Sequence, residues 1–268
     1  MNAFTHHLNY EFRTGLRDRS MLLMNYLFPL FFFVLMGLLM TQVNPTFTQT
    51  MTPAMILVAI MSGTLLGLPN PLLGSRESGI FRSFKINGIP SFSIISIPAL
   101  TSVLHMALIS AIITVAGPIF FDAAQPVNWI WFIVVWLASA FACAGLGMLI
   151  GVIAPNSRAT VLLAQLIFIP SMILGGLMMP TSFLPASLAK VAQLLPTTHA
   201  MAAFNGLAMG QPVGHDPLFN LVILVAAGLI SFGLAVYLFH WDNTTRRSRN
   251  PWLALIALLP YIASFAIR

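Results

Sequence analysis

Six stretches of this 268-residue chain are almost wholly apolar, and short polar or charged segments separate them. They cover residues 21–41, 53–73, 94–121, 129–154, 161–179 and 218–239. A helix needs about 20 mostly apolar residues to cross the hydrocarbon core of a bilayer, whereas a membrane strand needs only about 9–11. Periodicity does not separate helix from strand in such runs, but their length does, and it predicts six transmembrane helices. The first run exceeds the roughly 7–15 residues of a cleavable signal core and is read as a retained span. The expected fold class is an all-α integral membrane protein.

The polar segments have patterns of their own. Phe4, Leu8, Phe12 and Leu16 recur every four residues, with His6, Arg13 and Arg17 on another face. That is the pattern of an amphipathic helix lying in the membrane interface over residues 1–20. After the second span, "RESGIFRSFKINGIP" (residues 76–90) gathers Arg76, Glu77, Arg82 and Lys85, and Gly88 and Pro90 close it. A helix of about two to three turns fits there, with Phe81 and Phe84 on one face and Arg82 and Lys85 on a neighbouring one. Such a helix suits either anionic lipid headgroups or a protein partner. Glu77 favours the partner, because a carboxylate gains nothing from an anionic surface.

Between spans five and six, Leu184, Leu188, Val191 and Leu195 recur at helical spacing. Pro180 precedes that helix, Pro185 suits its first turn, and Pro196 is expected to stop it. A second short piece, residues 200–209, places Met201, Phe204 and Ala208 on one face. Both pieces are too short to cross and too apolar for water, so they are expected to dip back into the membrane against protein. A last apolar run, residues 251–267, is slightly short and contains Pro260, which favours packing in the interface over a seventh crossing.

Composition agrees with this reading. The chain is 58% hydrophobic and 7% charged, against roughly 45–50% and 25% in soluble domains. Ten of its twelve basic residues fall on one side of the six-span topology: Arg13, Arg17, Arg19, Arg76, Arg82, Lys85, Arg158, Arg246, Arg247 and Arg249. By the positive-inside rule that side, with the N-terminus, is cytoplasmic, and the chain belongs in the inner (plasma) membrane. The formal net charge of +6 is thereby assigned to topology and not to nucleic acid. A sequon at Asn243 lies on the same inner side, where it would not be used.

Candidate chemistry is sparse. The two lysines, Lys85 and Lys190, follow Phe84 and Ala189, so no glycine–lysine phosphate loop is present and ATP is not bound by that device. All six acids lie outside the spans, which leaves a proton relay almost nothing to run on. His105, inside span three, is the one candidate intramembrane polar site, most simply a neutral imidazole bonded to a neighbouring helix. Cys143 sits alone in an apolar run, which excludes a disulfide framework, and no metal site is expected. Gly147 and Gly151 form a small-xxx-small pair for close packing, within or between subunits.

Pro170, Gly176, Pro180, Leu184, Pro185, Leu195 and Pro196, together with Arg76, Glu77 and Gly79 and the run "GLGMLIGVIAPNSRAT", resemble the type-2 ABC exporter permeases of the type V exporter fold. The resemblance implies an exporter transmembrane domain over residues 21–245, followed by a basic cluster and apolar tail over 246–268. It implies a cytoplasmic coupling helix whose Glu77, Phe81, Arg82, Phe84 and Lys85 meet a separate ABC ATPase subunit, present in two copies. It also implies outer gate helices carrying Pro180, Leu184, Pro185, Leu188, Leu195, Pro196 and Phe204, and a second permease chain within the lipid, forming a homodimer or a pair with a sister permease. No catalytic residue or cofactor is expected in this chain; ATP and Mg are expected on the partner. The leading substrate is an amphipathic drug-like or lipid-like molecule moved outward, with a polysaccharide or lipid-linked saccharide as the alternative. From other classes, an ion-coupled carrier or an intramembrane transferase stays open.

Overall fold

The computed structural model describes residues 9, 11–13, 15, 17, 19–214, 216–241 and 250–267. These residues form α1 (Leu23–Val43), α2 (Met51–Glu77), α3 (Ile80–Ile86), α4 (Ser91–Phe121), α5 (Trp129–Ile153), α6 (Ser157–Leu174), α7 (Ala186–Ala192), α8 (Pro196–Ala203) and α9 (Pro217–Leu238). A 3-10 segment, Pro251–Leu258, then leads into α10 (Leu259–Ile267). Six of them, α1, α2, α4, α5, α6 and α9, are long and apolar enough to cross a membrane. The chain is a multi-pass membrane protein.

Asparagine and aspartate side chains start several elements. Asn128 accepts from the backbone N–H groups of Ile130 and Trp131, Asn156 from Ala159, Asp216 from Leu218 and Asn250 from Trp252. Each satisfies N–H groups that the first helical turn leaves without a partner.

The core is α2 with α5. Within their most apolar windows 94% of α2 and 78% of α5 is buried, against 28% for each of α1 and α6, so the last two lie at the periphery. In a bilayer lipid is as apolar as leucine, and helices associate where small residues let backbones approach. The glycines of α5 serve this purpose inside the subunit. A Cβ on Gly147 would lie 2.2 Å from the Thr64 carbonyl oxygen of α2, and one on Gly151 3.1 Å from backbone atoms of Pro69. On its other side, α5 packs along α9, where a Cβ on Gly145 would lie 3.0 Å from Ser231 and Phe232.

Three sequence expectations are corrected. First, α2 runs on to Glu77, so Arg76 and Glu77 belong to the last turn of a span and not to the short helix. Second, Pro196 does not merely stop a helix; it opens α8, where its missing N–H is an orphan in any case. Third, residues 251–267 do not lie flat. Ala257 is buried, and the fully buried Tyr261 sits with Ile223 and Ala227 of α9 and with its ring 5.6 Å from that of His199 in α8. Pro260 falls in the first turn of α10, where proline is tolerated. Eight 3-10 residues at about 2.0 Å and nine α residues at about 1.5 Å give roughly 30 Å, so this short run reaches as far as a span.

A reporter fused after residue 268 is therefore expected on the opposite side of the membrane from one inserted at Gly88, in a protease-accessibility assay. Reporters on the same side would mean that the tail does not cross.

At the N-terminus Phe12 is half-buried and Arg13 and Arg17 are exposed. Phe4, His6, Leu8 and Leu16 lie outside the described residues, as do Arg246, Arg247 and Arg249.

Candidate functional site

The charged segment forms an elbow. α2 ends at Glu77, Gly79 turns the chain with φ +77°, α3 runs for two turns, and Gly88 turns it again with φ +73° into α4. Both glycines occupy the left-handed region that other residues avoid. Three spans hold the elbow. The half-buried Arg76 donates from one guanidinium nitrogen to the carbonyl of Val152 at 2.7 Å and from another to that of Ala154 at 2.6 Å. Those carbonyls belong to the last turn and end of α5, the negative end of its helix dipole, so charge and hydrogen-bonding favour the same contact. From α9, Phe239 meets Phe81 with ring centroids 5.3 Å apart.

Phe81 was expected to meet the ATPase; the structure turns it inward, only 3% exposed. Its ring anchors α3 on Phe239, in the apolar region where α2, α5 and α9 end. Phe84 shares that face and is half-buried. What α3 presents outward is Ile80, Arg82, Lys85 and Ile86, with Glu77 exposed beside them at the end of α2. Ile86 is 80% and Ile80 45% exposed, so the outer face of α3 pairs two apolar side chains with two cations. Glu77 stands at a helix C-terminus, where the dipole disfavours a carboxylate.

The opposite end of the bundle carries α7 and α8. Gly175 lets the end of α6 approach Thr197, whose Oγ1 would lie 2.0 Å from a Cβ there, and Gly176 takes φ +84°. Leu188 and Val191 of α7 are exposed, Pro180 and Pro185 are exposed, Leu184 is half-buried and Leu195 is buried. Met201, Phe204 and Ala208 are all buried, so α8 and the π-type turn after it pack on protein. His199, fully buried, has Nδ1 2.8 Å from Asn220 Oδ1 of α9 and Nε2 2.8 Å from the Gln193 carbonyl. The imidazole thus ties α7, α8 and α9 together, with Tyr261 of α10 beside it.

His105 makes a separate junction. The Tyr26 hydroxyl of α1 is hydrogen-bonded to its Nδ1 at 2.5 Å, and Phe12 stacks on the ring at 4.3 Å. A Cβ on Gly15 would lie 2.9 Å from its Nε2, so glycine is what lets the N-terminal segment close over the imidazole. Nearby, α1 and α2 both contain a π-type turn, at Leu23–Leu27 and Ser62–Leu66, and the buried Asn25 side chain would lie 2.9 Å from a Cβ on Gly67.

Sequence reasoning counted Arg76 as a topology marker and missed its fork onto α5; a guanidinium at the edge of a long apolar run was the available signal. It also missed Phe239 and Asn220, whose partners are more than 20 residues away. Among the described residues no group of three His, Cys, Asp or Glu side chains is placed to hold a metal ion.

The model of the family described as ABC-2 type transporter matches residues 2–208, more than three quarters of the chain. The chain belongs to that family. It is an ABC permease subunit, a transport component. No curated protein and no solved structure matches it.

Proposed function

We propose that this ABC-2 permease moves an amphipathic, drug-like or lipid-like molecule outward across the inner membrane, driven by a separate ATPase that binds ATP and Mg and docks on the α2–α3 elbow. The basic end, with Arg76, Arg82, Lys85 and Arg158, is then cytoplasmic, as the positive-inside rule requires. The observation that carries the reading is mechanical. The exposed rim of Glu77, Ile80, Arg82, Lys85 and Ile86 is joined to α5 by the Arg76 fork and to α9 by Phe81–Phe239, so a push on α3 reaches three spans. A helix resting only on loops would transmit little.

Large exposed side chains on α1 (Phe31, Leu38) and α6 (Leu162, Leu166) support pairing with a second copy, with lipid covering the remainder. His105 acts as the clamp that seats the N-terminal helix, and α7 and α8 close the outer end of the path. The one acid in a span, Glu77, stands exposed in the last turn of α2, so the walls suit an apolar cargo better than an ion.

The test is co-expression with a candidate ABC ATPase subunit from the same source and capture of the complex. The native permease is expected to retain the ATPase, and Glu77→Arg to lose most of it while still inserting. Uphill transport by the purified chain alone, with no ATPase, would overturn the proposal.

A further inference from the structure

Behind the elbow lies a partly open cavity of about 750 Å³, walled by the end of α2, the inward face of α3, the Gly88–Pro90 turn, the first turns of α4 and the N-terminal segment. Its volume falls in the range of sites that enclose a drug-sized ligand. Gly67, Pro71, Gly88, Pro90 and Pro98 line it, and none offers a side chain long enough to fill it. Most of the remaining wall is apolar, with Leu72, Ile94, Ile97 and the rings of Phe81 and Phe84.

The end of the cavity away from the elbow, about three turns along α4 from Pro90, is different. Three oxygens that accept hydrogen bonds gather there. The first is the carboxylate of the half-buried Glu11, the only charged side chain lining the cavity among the described residues. Phe12 beside it stacks on His105, one helical turn beyond Thr101, which places Glu11 at this end. The second belongs to Thr101, whose hydroxyl donates its proton to the Ile97 carbonyl at 2.9 Å and so has only lone pairs left for the cavity. The third is Asn25 Oδ1, buried and without a hydrogen-bond partner, which would lie 2.9 Å from a Cβ on the wall residue Gly67. The cations of α3 do not reach this space: Arg82 and Lys85 are exposed on its outward face and do not line the cavity.

An apolar cavity whose polar end accepts hydrogen bonds and carries one negative charge repels anions. It is complementary to a positive charge on an apolar body, and aromatic rings such as Phe81 and Phe84 attract cations over their faces as well. We propose that the cavity binds a lipophilic organic cation, its apolar part lying between α2, α3 and α4 and its charge drawn to Glu11. The assignment rests on the transport reading above, whose cargo becomes a cationic amphiphile held directly behind the helix that the ATPase would push. Binding is read on the permease alone and ATPase retention on the complex, so either can fail while the other stands.

The full chain in neutral detergent is titrated with radiolabelled tetraphenylphosphonium, a permanent cation, and separately with tetraphenylborate, an anion of the same shape. Saturable binding of the cation is expected, with the anion at least about tenfold weaker. Glu11→Gln is expected to weaken cation binding by about tenfold or more, the scale of one charge contact in partly screened surroundings. Glu11→Asp keeps the charge and is expected to bind closer to the native chain than to Glu11→Gln. Ser93→Trp, which fills the cavity from the first turn of α4, is expected to weaken binding with the carboxylate in place. Absence of saturable cation binding, equal binding of the two ions, or native binding by Glu11→Gln or Ser93→Trp would each overturn the proposal. So would a loss in Glu11→Asp as large as in Glu11→Gln, because the shape of the segment and not its charge would then be at work.

Discussion

Replacing Gly147 by alanine is expected to destabilise the permease by roughly 2–3 kcal/mol, a large effect for one methyl group. The added Cβ would stand 2.2 Å from the Thr64 carbonyl oxygen and 3.0 Å from its carbon, and both are backbone atoms that no rotamer change can move. They belong to the π-type turn Ser62–Leu66 of α2, the most enclosed span, so relief requires α2 and α5 to separate along their length. Gly233→Ala in α9 is the matched control. Nothing lies within 4 Å of a Cβ there, and alanine in place of a helical glycine is expected to gain up to about 1 kcal/mol. Thermal unfolding in detergent reads both. If the two substitutions shift stability equally, the close α2–α5 approach is wrong.

Arg76→Ala is expected to remove about 3 kcal/mol and, with it, ATP-driven transport. Each charge-assisted hydrogen bond contributes roughly 1.5–3 kcal/mol, and the carbonyls of Val152 and Ala154 would lose their partners at the end of α5. The second effect is mechanical, because α3 would keep Phe81 on Phe239 but lose its tie to α5. Arg76→Lys separates charge from geometry. An ammonium keeps the attraction to the helix C-terminus but cannot place two planar donors on two carbonyls, so intermediate stability and transport are expected. Full stability and full transport in Arg76→Ala would show that the fork is incidental.

The candidate site was partly readable beforehand. Gly88 and Pro90 marked the far end of the elbow, because φ restrictions are properties of single residues and need no partner, whereas the near turn falls at Gly79, after a longer α2 than the apolar run suggests. The amphipathic split of α3 was readable too, but not which face meets the rest of the protein. Phe81 is an anchor because Phe239 lies 5.3 Å away, and that neighbour is 158 positions further along the chain. The same holds for His199, which lies between the two outer pieces read from the sequence and joins Gln193 to Asn220 in the fold.

By itself the sequence determined the six spans, the expected side of the basic residues, the breaks between helices and the near absence of ionisable groups in the membrane. These follow from segment length, local backbone preference and the cost of charge in hydrocarbon, all of them local quantities. Tertiary structure decided that α2 and α5 are the centre, that Gly147 serves packing within the subunit, that Arg76 grips α5, and that residues 251–267 climb beside α9. Nearly every residue of a span is apolar, so the pattern gives no face to bury; contact between helices is chosen by shape and by a few polar groups that find each other only once the chain is folded.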